Sequence, residues 1–337
     1  MPCTPLASIQ ARYFMTSKVK IGAVVIGRNE GERLINCLTS LKDEVALVVY
    51  VDSGSTDASL ENATRLGAEC ILLDKSIPFT AARARNAGFE RIMDRVDPPQ
   101  LVQFLDGDCR LEPGYLSKAV AEFEGQDRIA VVTGWRAEID PDASVYNQMC
   151  DHEWHGPVGE IAACGGDMMV RTAAFQQVGG FNPQVIAAED DEFCTRLRKA
   201  GWRLRRLPEA MTHHDAHMMR FSQWWSRAVR TGHGFEQVND LHPEYFQRER
   251  KRMWVYGAVL PVLALIGALF FWPLLVLVLL PLRSQLHQRR HRALHQDHPE
   301  GARQRLLRAQ EPQWGHRPHS GQRFPDPSYP PLGGLQS

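Results

Sequence analysis

The chain has 337 residues, 44% of them apolar and 23% charged, and its 39 Lys and Arg balance its 39 Asp and Glu. That length supports one large domain or two small ones with an adequate core, and the composition excludes a chain disordered throughout. Zero net charge argues against nucleic acid as a partner held by bulk electrostatics, and seven cysteines without a CxxC pair read as a reducing compartment with no disulfide framework and no cysteine-based zinc site.

Residues 1–17 lack the apolar stretch of a secretory signal and read as a flexible N-terminus. From there strand and helix alternate. KIGAVVIG (20–27) predicts a buried strand, and Glu30 to Leu41 has helical spacing through Leu34, Leu38 and Leu41. ALVVYVD (46–52) predicts a second buried strand, followed by a helix from Thr56 to Leu66 with Ser55 or Thr56 as N-cap. Glu69 to Leu73 reads as a third strand, Thr80 to Val96 as a helix and LVQFLD (101–106) as a fourth strand. This alternation predicts an α/β fold with a mostly parallel sheet covered on both faces, in which ligands bind beyond the carboxyl ends of the strands. Polar residues stand at those ends: Asn29 and Glu30, Asp52 and Asp106. The first strand-to-helix turn reads GRNEGERL, which is neither a dinucleotide fingerprint nor a P-loop.

Asp106 and Asp108, in FLDGDCRLEPGYL, lie two residues apart past an apolar strand, so both carboxylates fall on one side of the chain. Such a pair suits a hard divalent cation shared with phosphate oxygens, although most isolated DxD triplets are solvated turns. Glu189, Asp190, Asp191 and Glu192 open a later helix. They read either as favourable charge at a helix N-terminus or as the source of a general base. MTHHDAHM (211–218) offers His213 and His214 as metal ligands or as polar loop histidines, and FSQWWSRAVRTGHGF (221–235) mixes Trp and Arg as a membrane interface or a packed helix would.

Met253 to Leu282 is a run of thirty uncharged residues. As a helix it reaches roughly 45 Å against a bilayer core of about 30 Å. It predicts one tilted span, kinked at Pro261 or Pro273, or a re-entrant hairpin, preceded by a basic linker over 241–252. A large domain ahead of the first apolar segment predicts that this domain stays in the cytoplasm, in a chain held at the inner membrane. Residues 283–337 hold nine Arg, six His and seven Pro but no Lys, with no apolar periodicity, and predict a disordered tail.

Four blocks together, VVIGRNEGERL, VDSGSTDAS, ARARNAGF with FLDGDCRLEPGYL, and GGDMMVRTAAFQQVGGFN with AEDDEFCTRLRKAGWRL, resemble inverting glycosyltransferases of family 2. The resemblance covers Lys20 to about Gln237 and implies the GT-A nucleotide-sugar fold over residues 18–240. By it, Asn29 and Glu30 line the nucleotide pocket, Asp52 holds base or ribose, and Arg85 approaches the base or the diphosphate. Asp106 and Asp108 hold the ribose and a Mn²⁺ or Mg²⁺ ion, with His213 or His214 as a further ligand. Asp190 is the catalytic base, and Gly166, Asp167 and Glu189 border the acceptor. The donor is a nucleoside-diphosphate sugar and the acceptor a glycan or lipid-linked hydroxyl. The QxxRW block of processive synthases is absent, so a single sugar is added. Two rival readings are a sugar-phosphate nucleotidyltransferase, for which GRNEGERL is a poor loop, and a non-catalytic membrane-tethered sugar-nucleotide binder, which has no need of Asp190.

Overall fold

The computed structural model describes residues 19–270, in two units that divide between Lys251 and Arg252. In the first unit, β1 (Ile21–Gly27), β2 (Leu47–Asp52), β3 (Glu69–Leu72) and β4 (Leu101–Asp106) pair in parallel in the order β3-β2-β1-β4. Helices α1 (Glu32–Leu41), α2 (Ser59–Arg65) and α3 (Ala81–Met93) make the crossovers. The strands expected from the Val- and Ile-rich runs therefore stand where the sequence puts them. Both faces of β1 are buried: Val24 joins one core with Phe89, Phe104, Phe175 and Phe193, while Ala23 and Val25 join another with Leu34, Leu41, Tyr115 and Phe123. A strand covered on both sides has no polar face, which explains its unbroken apolar run.

The helix expected from Thr56 starts instead at Ser59, with Ala58 at its N-cap and no side-chain cap. Ser55 and Thr56 are engaged elsewhere, in the turn beside Asn29. Helix α3 does carry the expected kind of cap, since Thr80 Oγ1 accepts from the Arg83 amide at 3.1 Å.

The second half of the sheet is mixed. β5 (Cys109–Leu111) and α4 (Tyr115–Phe123) lead to β6 (Ile129–Glu138), α5 (Val145–Trp154), β7 (Gly159–Ile161), β8 (Met168–Arg171), α6 (Thr172–Gln177), α7 (Glu189–Lys199), β9 (Arg203–His214) and α8 (Phe221–Leu241). β8 joins β4 antiparallel, and the order continues β8-β6-β9-β5 with β7 on β9. β6 and β9 run parallel through several register shifts. This long, bulged pair delivers Arg136, Glu138 and His214 to the end of the sheet where β4 finishes.

A helix α9 (Gln247–Trp254), a π turn at Val255–Val259 and α10 (Leu260–Phe270) follow. Pro261 cannot donate to the carbonyl four residues back, and the π turn just before it absorbs that break in the ladder. By length and composition, Gln247–Leu269 is able to cross a membrane, and Val262, Leu263, Leu265 and Leu269 are exposed. The rest of the expected apolar segment (271–282), the tail (283–337) and the N-terminus (1–17) lie outside the described residues.

Candidate active site

The carboxyl ends of three neighbouring strands are level: Gly27 pairs with Asp52, and Ile26 with Asp106. Asp52 is buried and accepts from the Gly54 amide (2.9 Å), the Ser55 amide (2.8 Å) and the Tyr50 hydroxyl (3.0 Å), which closes the turn after β2. Asn29 holds a left-handed φ of 57°, a conformation Asn tolerates. Its amide donates to Ser55 Oγ at 2.9 Å and its Oδ1 accepts from the Thr56 amide at 2.8 Å, so the turns after β1 and β2 are stitched together. Glu30 faces the same crevice. Burial, with the Asp108 charge beside it, pushes its carboxyl up to about 7 against the pull of Arg33.

Arg85 of α3 is the hub. Its side chain is 3% exposed, and its guanidinium donates to Asp106 Oδ1 at 2.7 Å and to Glu189 Oε1 at 2.5 Å. Gly166 makes room for it: a β-carbon there would stand 2.0 Å from Arg85 Nη2. The second Asp106 oxygen accepts from Arg136 at 3.1 Å. Burial alone would raise the Asp106 carboxyl, but Arg85 and Arg136 outweigh it and hold it below the usual range. Asp167 is buried, accepting from the Asp106 amide (3.0 Å), from Arg136 Nε (3.0 Å) and from Thr212 Oγ1 (2.8 Å). Gly166 and Asp167 thus support Arg85 and Asp106 from behind.

Asp108 meets a different partner. Its Oδ2 lies 3.2 Å from His214 Nε2. Alternation along β9 sends the neighbouring His213 elsewhere, to Glu112 at 2.6 Å, so the structure brings His214 and not His213 to Asp108. Behind His214, the buried Nδ1 makes no hydrogen bond, and Glu138 Oε2 is 3.7 Å away. Burial disfavours the imidazolium, yet Asp108 and Glu138 push the His214 pKa up to about 9. His214 in turn holds Asp108 well below the ordinary carboxylate range against burial. Trp154 of α5 stands edge-on to the imidazole at 4.8 Å and lies under the Arg136 guanidinium at 5.6 Å.

Asp108, Cys109 and His214 each bring a ligand-type atom within 4.8 Å of the others. The Cys109 thiol is pushed up by burial, stays protonated and suits a hard cation poorly. The Asp108 carboxylate and His214 imidazole do fit a divalent cation, which would neutralise Asp108 where the imidazole proton now does so. Both Asp106 oxygens are already taken by arginines.

On the far side of Arg85, α7 opens with Glu189 to Glu192. Asp190 Oδ1 accepts from the Asp191 amide at 2.9 Å, and its Oδ2 lies 3.9 Å from where a β-carbon on Gly165 would stand. Burial raises the Asp190 carboxyl well above its usual value, and Glu189 and Asp191 add to this, while Arg85 opposes it only in part. A carboxylate so placed is a stronger proton acceptor than an ordinary aspartate. Since Arg85 touches both Asp106 and Glu189, the strand-end carboxylates and the acidic helix share one crevice.

Arg136, Glu138 and Trp154 were not singled out from sequence. The available signal was two charges, Arg136 and Glu138, ending the apolar strand IAVVTGWRAE. Arg227 pairs with Glu153 at 2.9 Å.

The profile of the family described as Glycosyl transferase family 2 matches residues 23–222. A pre-mycofactocin glycosyltransferase of Mycobacterium tuberculosis is 26% identical over 245 residues, covering 66% of this chain and 48% of its own. Glycosyltransferase AglE of Haloferax volcanii is 25% identical over 240 residues, covering 66% of this chain and 76% of its own. The chain thus spans about half the length of the mycobacterial relative. Among solved structures, the mannosyltransferase PcManGT of Pyrobaculum calidifontis, in complex with GDP-Man and Mn²⁺, shares the fold. Its TM-score is 0.57 at 15% identity, over 83% of this chain and 87% of that one.

Proposed function

The chain belongs to glycosyl transferase family 2, and from that premise we propose that it moves a single sugar from a nucleoside-diphosphate sugar to an acceptor hydroxyl, with inversion at the anomeric carbon. The observation that carries this reading is Arg85, bonded to Asp106 on one side and Glu189 on the other. The nucleoside end of the donor occupies the stitched turns around Asn29, Glu30 and Asp52. Asp190 takes the proton from the attacking hydroxyl, on the face of the sugar opposite the leaving diphosphate. One displacement needs no covalent nucleophile. Asp108 and His214 would hold a divalent cation, which when bound would supply Lewis-acid stabilisation of the leaving diphosphate. A mannosyltransferase of similar fold is in complex with GDP-Man and Mn²⁺, which supports a nucleotide-sugar donor and a divalent cation. Gly165, beside Asp190, borders the acceptor, and Trp154 walls the cation side of the crevice.

The apolar helix Gln247–Leu269 supports a membrane-associated enzyme with its catalytic unit in the cytoplasm, acting on a glycan or lipid-linked acceptor in cell-surface synthesis. The test is release of UDP or GDP from UDP-glucose and GDP-mannose by the full chain, with and without Mn²⁺. Mn²⁺-dependent release that Asp190→Asn abolishes is expected. Pyrophosphate formation from a nucleoside triphosphate and a sugar phosphate, with no release from either donor, would overturn the reading.

A further inference from the structure

The acidic helix α7 is gripped by elements that take no part in the crevice itself. Gly234 of α8 packs against the turn before α7 so closely that a β-carbon there would stand 2.8 Å from the Ala187 carbonyl oxygen and 3.1 Å from Ala188 Cβ. One turn further along α8, Gln237 braces the same stretch: its Oε1 accepts from the Ile186 amide at 3.0 Å and its Nε2 donates to the Gln184 carbonyl at 2.7 Å. Beyond the end of α8 the chain turns back onto α7. The Tyr245 hydroxyl donates to Asp191 Oδ1 at 3.3 Å, and the Arg198 guanidinium lies over its ring at 5.4 Å. His242 sits between Glu192 (3.2 Å) and Lys199 (2.8 Å), and Lys199 also pairs with Glu244 at 2.5 Å.

Between these two grips stands Ala188, with a left-handed φ of 61°. Alanine in that region is strained by about 1–3 kcal/mol and stays there only when its surroundings over-determine it. Gly234 and Gln237 are those surroundings. The next two residues are Glu189, which bonds Arg85, and Asp190.

We propose that α8 and the turn 242–245 form a positioning clamp for α7, in which Gly234 and Tyr245 fix where the Asp190 carboxylate stands. The clamp rests on the reading of Asp190 as the base. A general base works only within hydrogen-bond reach of its proton, and a shift of about 1 Å costs on the order of a hundredfold in rate. Gly234 sets the entry to the helix, through the Ala187–Ala188 turn. Tyr245 sets its flank, through Asp191. Neither touches the turns after β1, β2 or β4, so the clamp governs turnover and leaves the nucleotide side alone.

The test uses the full chain in detergent with Tyr245→Phe, Gly234→Ala and Asp190→Asn. Three quantities are measured: hydrogen exchange across 186–196, affinity for UDP and GDP with Mn²⁺, and release of UDP or GDP from UDP-glucose and GDP-mannose. Exchange across 186–196 is expected to quicken in both clamp variants while that of 21–27 and 101–106 stays at wild-type levels. kcat is expected to fall about tenfold in Tyr245→Phe and about a hundredfold in Gly234→Ala, with nucleotide affinity unchanged. Wild-type exchange and turnover in both variants overturns the clamp, as does a parallel loss of turnover, nucleotide affinity and protection everywhere. If Gly234→Ala does not fold, Tyr245→Phe, which removes one hydroxyl, decides alone. Asp190→Asn with wild-type turnover refutes the base assignment. An inactive Asp190→Asn beside fully active clamp variants refutes only the clamp. Should neither donor turn over, unchanged exchange across 186–196 is by itself enough to overturn it.

Discussion

Replacing Arg85 by methionine removes one buried cation from between two carboxylates while keeping most of the side-chain volume. Arg85 is 3% exposed, Glu189 11% and Asp106 28%. Breaking a buried pair by deleting one partner costs about 3–5 kcal/mol, because the remaining charge has no compensation. Two carboxylates are stranded here, but Asp106 keeps Arg136 at 3.1 Å and is partly solvated, so the lower end applies. For a unit of this size, about 3 kcal/mol lowers Tm by roughly 6–12 °C. The effect has a sign with pH. In the wild type the Asp106 carboxyl is held low, so its contribution is full above the unfolded carboxylate pKa and fades as pH falls through the folded value. In Arg85→Met, Asp106 keeps only Arg136, so its carboxyl is held low less strongly and is relieved by protonation at a higher pH than in the wild type. The gap in Tm between variant and wild type therefore narrows as pH falls from 7.5 to about 4, into the ordinary carboxylate range. Thermal melts of the full chain in detergent, followed by tryptophan fluorescence, measure it. A variant within about 2 °C of wild type at pH 7.5, or a gap that does not change with pH, refutes the reasoning.

Asp190→Asn is expected to lower turnover by about 10²–10⁴ while nucleotide affinity, measured by calorimetry, stays at the wild-type value. Because burial raises the Asp190 carboxyl and only the ionised form accepts a proton, kcat should climb with pH through a value above the ordinary aspartate range and then level off; a profile already flat at pH 4.5 contradicts this. His214→Ala should abolish tight Mn²⁺ binding, and Glu138→Gln should weaken it by about 10–100-fold, since the carboxylate behind a ligating imidazole fixes its tautomer; electron paramagnetic resonance of free Mn²⁺ reads both, and wild-type affinity in His214→Ala removes the site. Asp52→Ala deletes the acceptor for the Gly54 and Ser55 amides and the Tyr50 hydroxyl, and should weaken UDP or GDP binding without altering Mn²⁺ affinity in the same titration.

Three of the four parallel strands, β1, β2 and β4, are legible in the sequence because their middles are buried on both faces and so read as largely apolar runs, as in VVYV and LVQFL, whereas β3 at the edge is only part-buried. β9 carries no such mark. RLRRLPEAMTHH contains four charged residues and a proline, and it is a strand only because it pairs with β5 and β7 and, through bulges, with β6. Contacts so distant in sequence leave little local trace. The same reason hid Arg136 and Glu138, whose partners Asp106 and His214 lie 30 and 76 residues away. It also left His213 and His214 equivalent until the strand's two-residue period separated them. Ser55 and Thr56 have the residue types of a helix cap, but the turn beside Asn29 competes for them and wins. Arg85 is a case of partial legibility: the motif marks the position, whereas its grip on Glu189, 104 residues on, comes only from the packing.

Because His214 closes the last strand of the sheet, a chain emerging from the ribosome acquires its abilities in sequence. The turns that would cradle a nucleoside are complete once residue 106 is out, whereas the partner of Asp108 arrives 106 residues after it. A half-made molecule therefore lacks both the acidic helix and the imidazole until synthesis has passed the final strand.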